Sequence, residues 1–196
     1  LAGNDTDAFE KCANMRQAGF GARFGLISNA EWMTIARDIE NNARNWSGAR
    51  IGSGHIPRGH SDSSPLNALA ITDNNDPYDG TGNGARQAPG AGWEQRRTHN
   101  LSNGAEIWDF AGNVWEWTDW DSRIAGFNLG PINETAGWKD FGDPKIGSLL
   151  SDDYLPDGGY TSSHSFGQWY GGTGGATLHG GAWAYNIGAG AFALSL

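Results

Sequence analysis

Between Asn103 and Trp120 the chain places four tryptophans and four carboxylates in eighteen residues, around a Gly112-Asn113 turn. Trp115 and Trp117 flank Glu116 at the two-residue period of a strand, so both indoles share one face and the carboxylate points to the other. Large apolar surface beside a fixed carboxylate on a tight turn predicts a structural core that also holds a cation. Trp32, Trp108, Trp115, Trp117 and Trp183 are the expected buried anchors.

A chain of 196 residues is long enough for one sizeable core, and the expectation is a single domain over 1–196. With 31 glycines it must contain many turns, and its ten tryptophans can anchor loops that lack regular hydrogen bonding. The class expected is α+β and loop-rich. A net charge of −9 argues against nucleic acid, whose binding rests on phosphate neutralisation. Cys12 is the only cysteine, so neither an internal disulfide nor a cysteine-based zinc site can form. No apolar run reaches membrane-spanning length and no signal peptide is visible. The opening Leu1-Ala2 lacks Met, which leaves an upstream segment and the compartment open.

Asp7 to Ala18 reads as a first helix, capped by Asp5 or Thr6, with Phe9, Cys12 and Ala13 on one face and Gly19 as its stop. Cys12 is expected to act there as a small hydrophobe. Ser28 and Glu31 form a capping box for a second helix, in which Trp32, Ile35, Ala36, Ile39 and Ala43 recur at helical spacing through Asn45. Gly48 to about Asn100 is irregular. Within it, Asp73 to Gly80 gathers oxygens loosely like a calcium loop; without the full spacing it is read as Asx turns. His55, His60 and His99 share no metal-ligand spacing and are expected on the surface or in hydrogen bonds. Thr98 to Ile107 suits a hairpin turning at Ser102-Asn103-Gly104. Asp121 to Gly175 is expected to be irregular again. At the end Phe192, Leu194 and Leu196 alternate as a core-facing strand, opposite Ala191, Ala193 and Ser195.

Three blocks carry a family resemblance. Gly112-Asn113-Val114-Trp115-Glu116-Trp117 resembles the G-N-V-W-E-W signature of the formylglycine-generating-enzyme type of C-type lectin fold. Gly25 to Arg37 resembles the L-P-T-E-A-E-W…A-A-R block of the same family, in the right order. Gly180 to Leu196 resembles the variable region of proteins diversified by retroelements, G-G-x-W-x-x-…-A-G-x-F-A-L-x-L. The resemblance implies an α+β C-type lectin fold with two helices and small antiparallel sheets, lacking the family's first and last strands, and a variable region over 176–196. It implies that Gly180, Gly181 and Trp183 are scaffold, while Ala182, Ala184, Tyr185, Ile187, Gly188 and Ser195 vary and form one exposed patch. Each of the six can arise from an Asn codon by changing adenines only.

The function implied is a hypervariable ligand-binding protein that displays diversified residues to a macromolecular partner, a protein on a cell or virus surface. The protein itself is expected to be a monomer at a cell surface, secreted or on a virion. Tyr185 is the expected anchor. A structural calcium is implied at the turn, held by the Asp109 and Glu116 side chains and the Gly112 and Val114 carbonyls. Asp109 stands where the enzyme has Asn. The alternative is an oxidase of the formylglycine-generating type, or a degenerate relative. That chemistry needs a pair of C-terminal cysteines, because soft thiolates select Cu(I), and positions 13 to 196 contain none. A related iron branch uses a histidine cluster, which His164 and His179 do not form. No enzymatic activity and no redox cofactor are expected, and the sugar motifs E-P-N and W-N-D do not occur.

Overall fold

The second helix begins where the sequence places it, and the core assembles on it. In the computed structural model, which describes residues 8–15, 24–82, 86–121, 137–141, 155–171 and 176–195, the first helix α1 spans Ala8–Asn14 and the second, α2, spans Asn29–Glu40. The Ser28 hydroxyl accepts the Glu31 N–H at 3.3 Å, and the Glu31 carboxylate accepts the Ser28 N–H at 2.9 Å, so two otherwise orphaned donors are satisfied. The apolar stripe Trp32, Met33, Ala36 and Ile39 is buried against Trp46, Phe110, Phe166, Trp169 and Phe192 in one cluster. Helix α2 stops five residues earlier than the periodicity suggests. Asn42 caps a separate 3₁₀ turn, Ala43–Asn45, through its side chain, because Asn competes with the helix for backbone donors. In α1, Cys12 is half-buried and Ala13 exposed, so Ala13 does not line an apolar face. Helix α1 ends at Asn14, four residues before the expected Ala18, with Met15 already outside it; Asp5, Thr6 and Gly19 lie outside the described residues.

Two sheets follow. Strands β1 (Thr98–Asn100) and β2 (Glu106–Trp108) form the expected hairpin, with Gly104 at a left-handed φ of 86°. The second sheet has β3 (Glu116–Asp121), β4 (Gly137–Lys139), β5 (Trp169–Gly171), β6 (Ala176–His179) and β7 (Leu194–Ser195) in the order β3-β6-β7-β5-β4. It is not wholly antiparallel. Strand β7 lies between β6 and β5, which run in opposite directions, so it must be parallel to one of them; it is parallel to β5. The stretch from Asp121 to Gly175, expected to be irregular, supplies two of these strands and a 3₁₀ turn at Ser162–His164.

Register decides which residues face the core. Across the sheet, Glu116, His179, Leu194, Trp169 and Lys139 stand opposite one another, and Trp117, Leu178, Ser195, Tyr170 and Trp138 form the next row. The first row faces α2: Trp32 stacks on Phe110 at 3.9 Å and on His179 at 5.0 Å. Trp115 and Trp117 do lie opposite Glu116 in the alternation, but the carboxylate takes the inner side and the indoles the outer. Trp117 is 49% exposed, and Trp108, Trp115 and Trp183 are only half-buried, so of the five expected anchors Trp32 alone is fully buried. At the end of the chain Ala191 and Ala193 are buried together with Phe192 and Leu194. Both sides of this segment pack, and Ala191 accepts the Trp32 indole N–H at 2.8 Å.

The long irregular segment before β1 buries Ile56 and Trp93, and polar groups hold much of the rest. Asn45 donates to Ile39 and Asn100 carbonyls and accepts the Asn100 N–H at 2.8 Å. Asp73 and Asp76 close Asx turns on Asn75 and Tyr78. Asp76 also accepts the Thr98 N–H, and Asp79 pairs with the buried Arg96 guanidinium. The Asp76 and Asp79 carboxylates of this loop are thus engaged within the fold. Of the two places expected for these histidines, His60 and His99 take the second: both are buried, and each bonds a carbonyl, of Asn67 at 3.0 Å and of Pro57 at 2.9 Å. Burial pushes His99 down to about 4, so it is neutral.

Candidate functional site

The Gly112-Asn113 turn organises the end of the chain. Both residues adopt left-handed φ values, 72° and 61°, and a side chain at Gly112 would meet the Arg58 and His60 carbonyls at 2.6 Å. Asn113 joins three segments. Its N–H donates to His60 at 2.7 Å, its side chain exchanges hydrogen bonds with the backbone of Leu69, and its carbonyl accepts the Trp183 N–H at 3.1 Å. Gly112 donates to Gly180 at 2.9 Å. The turn therefore fixes where the tail leaves the sheet.

The tail is a short loop on that support. Gly180 and Gly181 have φ values of 86° and 84°, and a Cβ on Gly181 would lie 2.6 Å from Ala189. This is the close backbone approach that the paired glycines imply. Beyond them, Ser63 donates to Trp183 at 2.7 Å, Asn186 donates to Ser61 at 2.8 Å, and Asn186–Gly188 forms a 3₁₀ turn. Ala184, Tyr185 and Ile187 are exposed, the last two by 40% and 51%, and Ser195 is half-buried in β7. Two of the six positions do not fit the exposed patch. Ala182 is 6% exposed, since it follows directly on the packed glycines and its carbonyl caps the loop by accepting from Tyr185. Gly188 is buried beneath Trp138 and Tyr185, although a Cβ there would meet both at an ordinary 3.8 Å.

Tyr185 does not stand alone. It meets Trp115 edge-on at 5.2 Å and Trp138 at 5.4 Å, and those two indoles lie nearly parallel at 6.1 Å. Tyr170 adjoins Trp138 at 5.3 Å. Such geometries stabilise aromatic pairs beyond their buried area. Sequence reasoning missed Trp138 and Tyr170 as neighbours of the tail, because three-residue strands in a Gly-rich stretch give no periodic signal.

The four residues expected to hold calcium meet different fates. Both Asp109 oxygens are taken by Arg97, at 2.9 and 2.7 Å, and the guanidinium also lies over Trp108. A cation at Asp109 would have to compete with that positive charge. The Glu116 carboxylate has no hydrogen-bond or ion-pair partner among the described residues. Burial, with Asp109 nearby, pushes its carboxyl up to about 7. Glu116 thus suits a hard cation, whereas Asp109 as placed does not. Gly112 and Val114 lie on the turn between them. Among the described residues no group of three or more His, Cys, Asp or Glu side chains could hold a metal. His164 and His179 lie apart, in the Ser162–His164 turn and β6; His179 is neutral, lowered to about 3 by burial, and bonds Asn29 at 2.9 Å.

No family profile matches the chain, and neither a curated protein nor a solved structure does. No helix among the described residues is long and apolar enough to cross a membrane.

Proposed function

We propose that the protein is a binding protein rather than an enzyme, of the retroelement-diversified kind on a C-type lectin scaffold, and that it takes a protein partner through the face around Tyr185. The observation that carries this is the division within a single loop. Ala184, Tyr185 and Ile187 are exposed, whereas Gly180, Gly181, Ala189 and the 191–194 segment beneath them are buried. Variation is tolerated only where side chains avoid a packed core, so this division is what a diversified surface requires. Tyr185 supplies rigid amphipathic contact area at low entropic cost. The burial of Ala182 and Gly188 narrows the varied surface to Ala184, Tyr185, Ile187 and Ser195, with small substitutions alone fitting at Gly188. The single cysteine argues against the oxidase alternative.

Calcium is a second part of this reading. Glu116 would be its principal ligand, with the Gly112 and Val114 carbonyls, and Asp109 would join only if Arg97 gave way. The ion would supply charge balance for a half-buried carboxylate and rigidity at the turn that anchors the tail.

The test is a display library randomised at Ala184, Tyr185, Ile187 and Ser195 and selected against several unrelated proteins. Target-specific binders whose melting temperatures stay near that of the parent are expected. A library that loses folding at these four positions, or that yields no binder to any target, would contradict the reading.

A further inference from the structure

The outer row of the five-stranded sheet is an aromatic surface that the tail only partly accounts for. Trp117, Leu178, Ser195, Tyr170 and Trp138 stand opposite one another across all five strands. Trp117 is 49% and Trp138 38% exposed, at the two ends of the row. Ser195, one of the varied positions, sits in its middle. Trp115 and Tyr185 continue the surface beyond Trp138 through the ring contacts described above.

Charge indicates what this surface takes. The chain carries −9 overall, and no Asp, Glu, Lys or Arg follows Asp157, so the tail, β5, β6 and β7 bring no formal charge to it. Exposed carboxylates stand beside it. Asp119 is on β3, and Asp62 lies between Ser61 and Ser63, which are hydrogen-bonded to Asn186 and Trp183. Lys139, the only lysine or arginine on the five strands, belongs to the inner row opposite Trp169. The faces of indole and phenol rings carry negative potential and attract cations, and an acidic protein draws cationic partners to itself. Both effects favour the same occupant.

We propose that Trp117, Tyr170, Trp138 and Trp115 form a fixed shelf beside the varied tail, extended in this variant by Tyr185, that seats arginine or lysine side chains of the protein partner. The shelf supplies affinity common to all variants, and the tail supplies the choice among partners. This rests on the reading of the tail as a protein-binding surface.

The experiment titrates the full chain with the capped peptide Gly-Arg-Gly-Arg-Gly and its Gln and Glu counterparts, by calorimetry, at about 0.15 M and about 1 M salt. The Arg peptide is expected to bind more tightly than the Gln peptide at both salt concentrations, and the Glu peptide most weakly. Trp138→Leu and Trp117→Leu keep apolar bulk but remove the ring. Each is expected to weaken the Arg peptide about two- to five-fold with the circular dichroism spectrum unchanged. Equal binding of the Arg and Gln peptides would overturn the proposal, and that comparison needs no variant. So would loss of the Arg preference at about 1 M salt, which would reduce it to net charge alone, or two folded Leu variants that bind as the parent does. The tail reading fails separately: a randomised tail that selects no target, with the Arg preference intact, removes the tail and leaves the shelf.

Discussion

Replacing Glu116 by Gln should stabilise the protein at neutral pH and do almost nothing in acid. The carboxylate sits on the inner row of the sheet beside His179, with no hydrogen-bond partner among the described residues and with Asp109 nearby. Its folded value of about 7 lies above the ordinary 4.5. The folded protein therefore holds this proton more tightly than the unfolded chain does. Stability from this group is fully present below pH 4.5 and is lost as pH rises through 7. The interval corresponds to roughly 3 kcal/mol at most, and relaxation of a half-buried site brings it to about 2 kcal/mol. For a domain of this size that is about 4–8 °C in melting temperature. Gln keeps the shape and removes the titration. The assay is urea unfolding of both proteins from pH 4.5 to pH 8 in the presence of chelator. The Gln variant should match the parent at the acid end and exceed it by about 2 kcal/mol at the neutral end. A difference independent of pH, or a less stable Gln variant above pH 7, would refute the reasoning. Added calcium should raise the stability of the parent by mass action and leave the Gln variant unmoved.

The buried histidines should act with the opposite sign. His99 and His179 are held to about 4 and about 3, below the ordinary 6.5, so stability present above pH 6.5 should fall as pH drops toward 4, and His179→Gln should flatten that slope in acid denaturation curves. Asn113→Ala removes the side chain that bonds Leu69, and should cost about 2–4 kcal/mol in urea unfolding while increasing hydrogen exchange at Trp183. Gly181→Ala forces a Cβ to 2.6 Å from Ala189 at a φ of 84° and should cost about 2 kcal/mol or more. Ala184→Ser and Ile187→Ser should each stay within about 0.5 kcal/mol, whereas Ala182→Leu should cost about 1–3 kcal/mol by overpacking; thermal melts of the three check both statements.

Helix α2 was legible because its capping box and its apolar period are local signals, and Ser28, Trp32, Ala36 and Ile39 behave as those signals require. The hairpin at Asn103-Gly104 was legible for the same reason. The strand around Glu116 was legible only by half: alternation separates Glu116 from Trp115 and Trp117, but which side faces inward depends on where α2 packs. Hydrophobicity argued for buried indoles, and the sheet instead spends them on its outer surface. Arg97 was missed as the partner of Asp109 because the pairing crosses from β1's leading edge to the residue after β2, a juxtaposition made by the hairpin. Strands β4 and β5 left no trace because three residues are too few for a period. In the tail, the glycine pair marked the close approach correctly. The resemblance gave six varied positions without their depth, and depth at Ala182 and Gly188 is set by contacts with Gly181, Tyr185 and Trp138.

A diversified surface on a constant scaffold would leave its record in the DNA around the sequence that encodes this tail. Sequencing that locus should reveal a reverse transcriptase and a near-copy of the segment encoding Gly180 to Leu196. Copy and coding segment should differ at adenines, at the codons for Ala184, Tyr185, Ile187 and Ser195 and not at those for Gly180, Gly181, Trp183 or Phe192. A locus without such a copy, or a copy whose differences fall on the scaffold codons or on bases other than adenine, would contradict the account.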